Sequence, residues 1–187
     1  MSARTFFVLI GRDIYRARGS FLFGLMAAVI VCFLLMLPQF IKEKKLWLDG
    51  KCMRNAKIGR KFLLAYYIAF IVSLTCLSRK AGSRGGMNLD LFSTWTGDMR
   101  AHTFFIENIL IFVPAGILLA MNFFMFQKAL VCIIAGFLIS FAMECVQLFT
   151  GRGFFQIDDI LTNGIGCAVG WALENAAEKW RKRKNGD

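Results

Sequence analysis

The sequence predicts an all-α fold, a polytopic transmembrane helix bundle of about five spans with an interfacial loop segment before the third. Three observations carry that expectation. Of the 187 residues 57% are hydrophobic and 19% charged, at a mean hydropathy of +0.56, which excludes an ordinary water-soluble domain. Five apolar runs, Phe21 to Leu37, Phe62 to Leu77, Thr103 to Phe126, Ala129 to Phe149 and Ile157 to Leu173, approach the length of about 20 residues that crosses the hydrocarbon. The strongest polar cluster lies around the gap between the last two runs, where Glu144, Gln147, Arg152, Asp158, Asp159 and Asn163 follow one another. Charge there is costly and marks a pathway, a pair or a site.

Residues 1–60 read as an amino-terminal segment, a first transmembrane helix and a basic loop. The first run lies after residue 20 and leads into Pro38-Gln39 rather than a small-residue cleavage site, so it is a retained span and not a signal peptide. Residues 61–175 form the expected membrane domain. Its segment Ser83 to His102 is too polar to span yet holds Leu89, Leu91, Phe92 and Trp95, which suits a structure lying at the interface. Pro114 is expected to kink the third span or unwind one turn of it. The second and fifth spans are the shortest. Residues 176–187 close the chain as a basic tail, in which Trp180 and Lys179 to Lys184 suit an anionic lipid surface.

A net charge of +11 raises the question of nucleic acid, but the 23 Lys and Arg residues are spread over terminal and loop segments, so no nucleic-acid partner is expected. Topology accounts for them better. With five spans, alternate segments share a side and carry 9 basic residues against 14, which places the carboxyl terminus in the cytoplasm and the amino terminus outside a multi-pass cell-membrane protein. Arg12, Arg16 and Arg18 pull the other way. Of the six cysteines, Cys32, Cys52, Cys76, Cys132, Cys145 and Cys167, none forms a Cys-x-x-Cys pair, so free thiols are expected and neither a metal site nor a cofactor is.

Parity groups residues by membrane side without assigning the side. Glu107 and Asn108 open the third span, Glu144 and Gln147 close the fourth, Arg152 lies in the connection, and Asp158 and Asp159 open the fifth. All fall within about two helical turns of one face. Gly136, Ser140, Glu144 and Gln147 form one stripe on the fourth helix, while Asp159, Asn163, Gly166 and Gly170 form one on the fifth. The stripes are expected to face each other, with Gly136, Gly166 and Gly170 packing the deep half and the polar residues opening above it. Simple helix packing accounts for the glycines equally well. Adjacent aspartates on a helix diverge by about 100°, so Asp159 is the inward member and Asp158 suits a helix cap.

This ordered set resembles the VanZ-like membrane-domain family over about residues 60 to 175. The residues concerned are Asn88-Leu89 with Phe92, Glu107-Asn108-Ile109-Leu110 with Pro114 and Gly116, Glu144 with Gln147, Arg152, and Asp158-Asp159 with Asn163 and Gly166. The chain departs from the family pattern in lacking a proline before Phe92. The resemblance implies a bacterial cell-envelope protein, in a family whose founding member is associated with teicoplanin resistance. The expected activity is binding or shielding an envelope lipid or a lipid-linked cell-wall component, with a glycopeptide-related ligand as a further possibility. Membrane lipids are the expected partners. Arg152 would pair an anionic group, Asn108, Gln147 and Asn163 would supply neutral hydrogen bonds, and Glu144 and Asp159 would orient them or meet an amine. The alternatives are an intramembrane enzyme acting on a lipid-linked substrate, with Glu144 and Asp159 as acid and base or as hard-metal ligands, or a structural subunit of a membrane assembly. No activated serine or cysteine motif, His-Glu-x-x-His or phosphate-cradling loop is present, which favours binding.

The topology carries its own test. Cysteines placed in the Lys42 to Lys61 loop should resist a membrane-impermeant thiol reagent in intact cells and react after permeabilisation. Labelling from outside would invert the orientation.

Overall fold

A computed structural model describes residues 3–20, 22, 24–26, 56–77, 80–83, 85–93 and 99–185. Only residues 22 and 24–26 of the first expected span are described; Trp95 and most of the Lys42 to Lys61 loop lie outside the described residues. Helix α1 (Ala3–Arg16) precedes α2 (Ala56–Val72), which continues into one wide π turn, Ser73–Leu77. Strand β1 (Met87–Asn88) leads to α3 (Met99–Asn122), followed by a short 3-10 turn (Phe124–Gln127) and α4 (Ala129–Phe149). Strand β2 (Phe155–Gln156) then opens α5 (Ile157–Asn185).

Among the described residues three helical stretches are long and apolar enough to cross a membrane: Gly59–Leu77, Ala101–Asn122 and Ala129–Phe149. The fifth expected span is not among them. Its helix starts with Asp158 and Asp159, includes Asn163, and continues past Leu173 through the basic tail to Asn185, a length of about 43 Å at 1.5 Å per residue. What α5 lacks in apolarity it gains in cover, since Asp158, Thr162, Asn163 and Cys167 are buried by the helices around it.

The third helix ends at Asn122, earlier than the apolar run does. Asn122 Nδ2 folds back to donate to the Leu118 carbonyl at 2.9 Å, and Phe123 is extended, so the aromatic stretch after it forms the turn into α4. Trp171 Nε1 ties that turn to α5 through the Gln127 carbonyl at 2.9 Å. Pro114 lies inside α3 without an unwound turn.

Glycines set the packing. A Cβ on Gly166 would lie 2.2 Å from the Ile109 carbonyl oxygen, one on Gly170 2.0 Å from that of Val113, and one on Gly116 2.1 Å from that of Cys167. Gly166 and Gly170 therefore meet α3 and not the fourth helix, which corrects the expected pairing of their stripe with that of α4. Gly166 meets Ile109 and Gly170 meets Val113, one turn further along both helices, so α3 and α5 run parallel. Gly136 does face α5, because a Cβ there would lie 2.6 Å from Cys167 Cβ. Around this seam the core is apolar, with Phe112, Ala115, Leu118 and Met143 against Tyr67 and Ile71 of α2. Tyr67 donates its hydroxyl to the Ile111 carbonyl, and Ser73 Oγ donates to Ser20 Oγ at 3.1 Å.

Because the obstructing atoms are backbone, Gly166→Ala and Gly170→Ala should each lower stability by about 2–3 kcal/mol, the cost of overpacking, read as a drop in thermal midpoint in detergent. Gly59→Ala, which has open space beside it, should leave the midpoint unchanged.

Candidate functional site

The polar residues gather at one end of the bundle, where α3 begins, α4 ends and α5 begins. Each arrives there for a local reason. Glu144 lies on the last turns of α4, only 2% exposed, and its Oε2 accepts the Gln156 backbone N–H at 2.9 Å, which holds the α4–α5 connection against the helix. Three residues later Gln147 lies on the same buried face, and its carbonyl accepts the Arg152 N–H at 2.9 Å. Its side-chain amide makes no hydrogen bond among the described residues. Asn163 Nδ2 donates to Ser140 Oγ at 2.8 Å, joining α5 to α4 as the stripes predict. Asp159 turns to α3, where Oδ1 accepts Asn108 Nδ2 at 2.7 Å. Glu107, partly buried, precedes Asn108 on α3.

Asp158 is 1% exposed and does more than cap its own helix. Its Oδ1 accepts the Phe92 N–H at 2.6 Å and its Oδ2 lies 3.4 Å from Ser93 Oγ, across 66 and 65 residues of chain. Phe92 has φ +61°, a left-handed conformation unusual for a bulky residue and held here by that carboxylate. The rest of the turn is built by Asn88, whose Oδ1 accepts the Asp90 N–H at 3.1 Å and whose Nδ2 donates to Ser93 Oγ at 2.9 Å. Thus the turn forms without the missing proline.

Strand pairing completes the mouth. Met87 pairs with Phe155 and Asn88 with Gln156, in parallel, and Phe155 N–H donates to the Gly86 carbonyl at 2.9 Å. Sequence reasoning missed this pair because two-residue strands carry no periodicity. It also missed Ser93 and the fully buried Thr103. Arg152 reaches sideways, donating from Nη1 to the Cys76 carbonyl at 2.6 Å, at the end of the π turn after α2. A guanidinium there complements the carbonyl end of a helix, so Arg152 ties α2 to the mouth as well as lining it.

A model of the VanZ/LLP1 family matches residues 62–176. The chain belongs to the VanZ/LLP1 family. It is similar to Protein VanZ of Enterococcus faecium, at 29% identity over 142 residues, 70% of this chain and 83% of that protein. No solved structure matches it. The VanZ/LLP1 match and the apolar helices make it a membrane protein.

If Asp158 pins the turn, Asp158→Ala should expose it. Hydrogen exchange at the Phe92 amide should accelerate at least about tenfold, as expected for losing a hydrogen bond to a charged group, while amides in the middle of α4 stay protected.

Proposed function

We propose that this VanZ/LLP1 protein is a multi-pass protein of the cell envelope, and that it holds the polar head of an envelope lipid or lipid-linked wall component at the mouth between α3, α4 and α5. The observation that carries this reading is convergence. Asn108, Glu144, Gln147, Asp159 and Asn163, drawn from three helices, are gathered at one end of a bundle whose outer face is apolar, with Leu110, Leu138, Phe141 and Phe149 exposed around it. An amphiphile suits such a place, because its chains meet the apolar face while its head meets the polar one.

Gln147 is the neutral hydrogen-bonding group open to the ligand, Asn108 and Asn163 position their neighbours, and Arg152 pairs an anionic part of the head. Through such a ligand the protein would alter susceptibility to glycopeptides of the teicoplanin type. The amino terminus lies outside and the basic end of α5 in the cytoplasm, where Lys184 stands 5.4 Å from the Trp180 ring centre.

Native mass spectrometry of the detergent-extracted protein tests the reading. The wild type should retain an adduct of lipid mass, and Gln147→Ala combined with Asp159→Asn should reduce its occupancy about tenfold, the effect of roughly 1.4 kcal/mol. Undiminished adduct in the folded double variant would refute the assignment of this site.

A further inference from the structure

Four arginines and one aspartate stand in residues 3–20, ahead of the first apolar run, and the head-group site uses none of them. Within α1 the residues divide by side. Phe7, Ile10 and Ile14 recur at intervals of three and four, while Arg4, Arg12 and Arg16 follow one another at eight and four on the opposite side. No other helix among the described residues separates its apolar from its polar side chains so sharply. Such a pattern belongs to a helix lying in a membrane surface, with its apolar side down and its basic side up. The 14 residues of α1 reach about 21 Å, too short to cross about 30 Å of hydrocarbon.

The structure places this helix at the mouth end of the bundle. Ser73 Oγ donates to Ser20 Oγ at 3.1 Å, at the start of the π turn whose Cys76 carbonyl holds Arg152. A Cβ on Gly24 would lie 3.0 Å from Phe70 Cβ and 3.1 Å from the Tyr66 carbonyl oxygen, so the chain after Ser20 runs back along α2, away from the mouth. Between α1 and that descending segment the chain makes a tight turn at Ala17, closed by Ala17 N–H to the Ile14 carbonyl and Ser20 N–H to the Ala17 carbonyl. Helix α1 touches α3, so it lies against the bundle, yet Ile14 stays 60% exposed and Phe7 69%. Leu22, Leu25 and Met26 continue that exposed apolar surface past Ser20. At the turn Tyr15 and Arg18 pair: Arg18 Nη1 donates to the Tyr15 hydroxyl at 2.5 Å, and the guanidinium carbon stands 4.4 Å from the ring centre. A tyrosine with a wet tip and an apolar body is suited to the level of lipid head groups.

We propose that α1 is an in-plane helix of the membrane surface on the mouth side, and that its partner is an anionic phospholipid surface. Phe7 and Ile14 enter the acyl boundary, while the exposed Arg12 and Arg18 meet lipid phosphates. Two observations select this occupant. The uncovered apolar side chains run on into those that open the first apolar run, a surface that in a membrane protein faces lipid; and the other side of the helix carries positive charge, complementary to anionic heads. Arg18 spends one of five N–H donors on Tyr15, and the rest remain for phosphate. This explains why Arg12, Arg16 and Arg18 oppose the charge balance of the loops: they belong to a surface helix. The inference stands apart from the head-group site, and neither depends on the other.

The test is hydrogen exchange read by mass spectrometry on the full chain in nanodiscs, made either of phosphatidylcholine alone or of phosphatidylcholine with phosphatidylglycerol. Amides of residues 3–16 should exchange at least about tenfold more slowly in the anionic discs, since several basic residues gain from such a surface, and about 0.5 M salt should shrink the difference. Arg12→Gln combined with Arg18→Gln should remove the difference between the discs. Phe7→Ser combined with Ile14→Ser should remove the protection in both. Protected amides in α4 report that each variant is folded. Equal exchange of the wild type in the two discs overturns the anionic partner. Unprotected exchange in both overturns the surface helix, and protection that follows the number of copies per disc instead of lipid charge overturns it in favour of a second copy of this chain.

Discussion

Backbone lies against backbone where α3 crosses α5, and the remainder of the bundle is arranged around that contact. Lipid tails are as apolar as leucine, so helices in a bilayer associate through close packing and polar contacts rather than through exclusion of water. At Gly116, Gly166 and Gly170 a methyl group would collide with a carbonyl of the opposite helix. The close approach fixes a parallel register, and it is the register that brings Asn108 beside Asp159. With α3 on one side and α4 on the other, α5 is covered where it is most polar. A helix too polar to face lipid along its length can stand in a membrane when its polar groups face protein.

The acidic residues have two kinds of work at the mouth. Irregular backbone near hydrocarbon is tolerated only where its N–H and C=O groups are satisfied, and the chain has two such stretches here, the turn around Phe92 and the connection before Gln156. Asp158 accepts from the first and Glu144 from the second. Both carboxylates are nearly inaccessible, and their spacing is explained by the loops they hold. Asp159 joins the same end by accepting from Asn108 of α3, and Gln147 lies beside Glu144 on the buried face of α4. Division of labour of this kind means that substitution of any acid in the cluster affects function only after its effect on folding is known, which is why amide replacements that keep an acceptor are more informative than truncations.

Much of this was legible from residue order. Parity alone placed Glu107, Asn108, Glu144, Gln147, Asp158 and Asp159 at one end, because consecutive membrane-length helices must alternate direction whatever their contacts. The period of 3.6 placed Ser140, Glu144 and Gln147 on one face of α4, and all three are buried. The same period said nothing about which neighbour a face would meet. Asn163 met α4 as its stripe suggested, whereas Gly166 and Gly170 met α3, because a helix wedged between two others presents different sides of a broad small-residue surface to each.

By itself, then, the sequence determined a membrane protein rich in helices, three of the five segments it marked as long and apolar enough to span, and the end of the bundle at which charge collects. Each follows from composition, length and alternation, which are properties of order along a chain. Tertiary structure alone decided that Asp158 clasps Phe92 from 66 residues away, that β1 pairs with β2, and that Arg152 ties itself to the end of α2. Those contacts join residues whose separation carries no period, and only packing in three dimensions selects one partner from the many that local chemistry would allow.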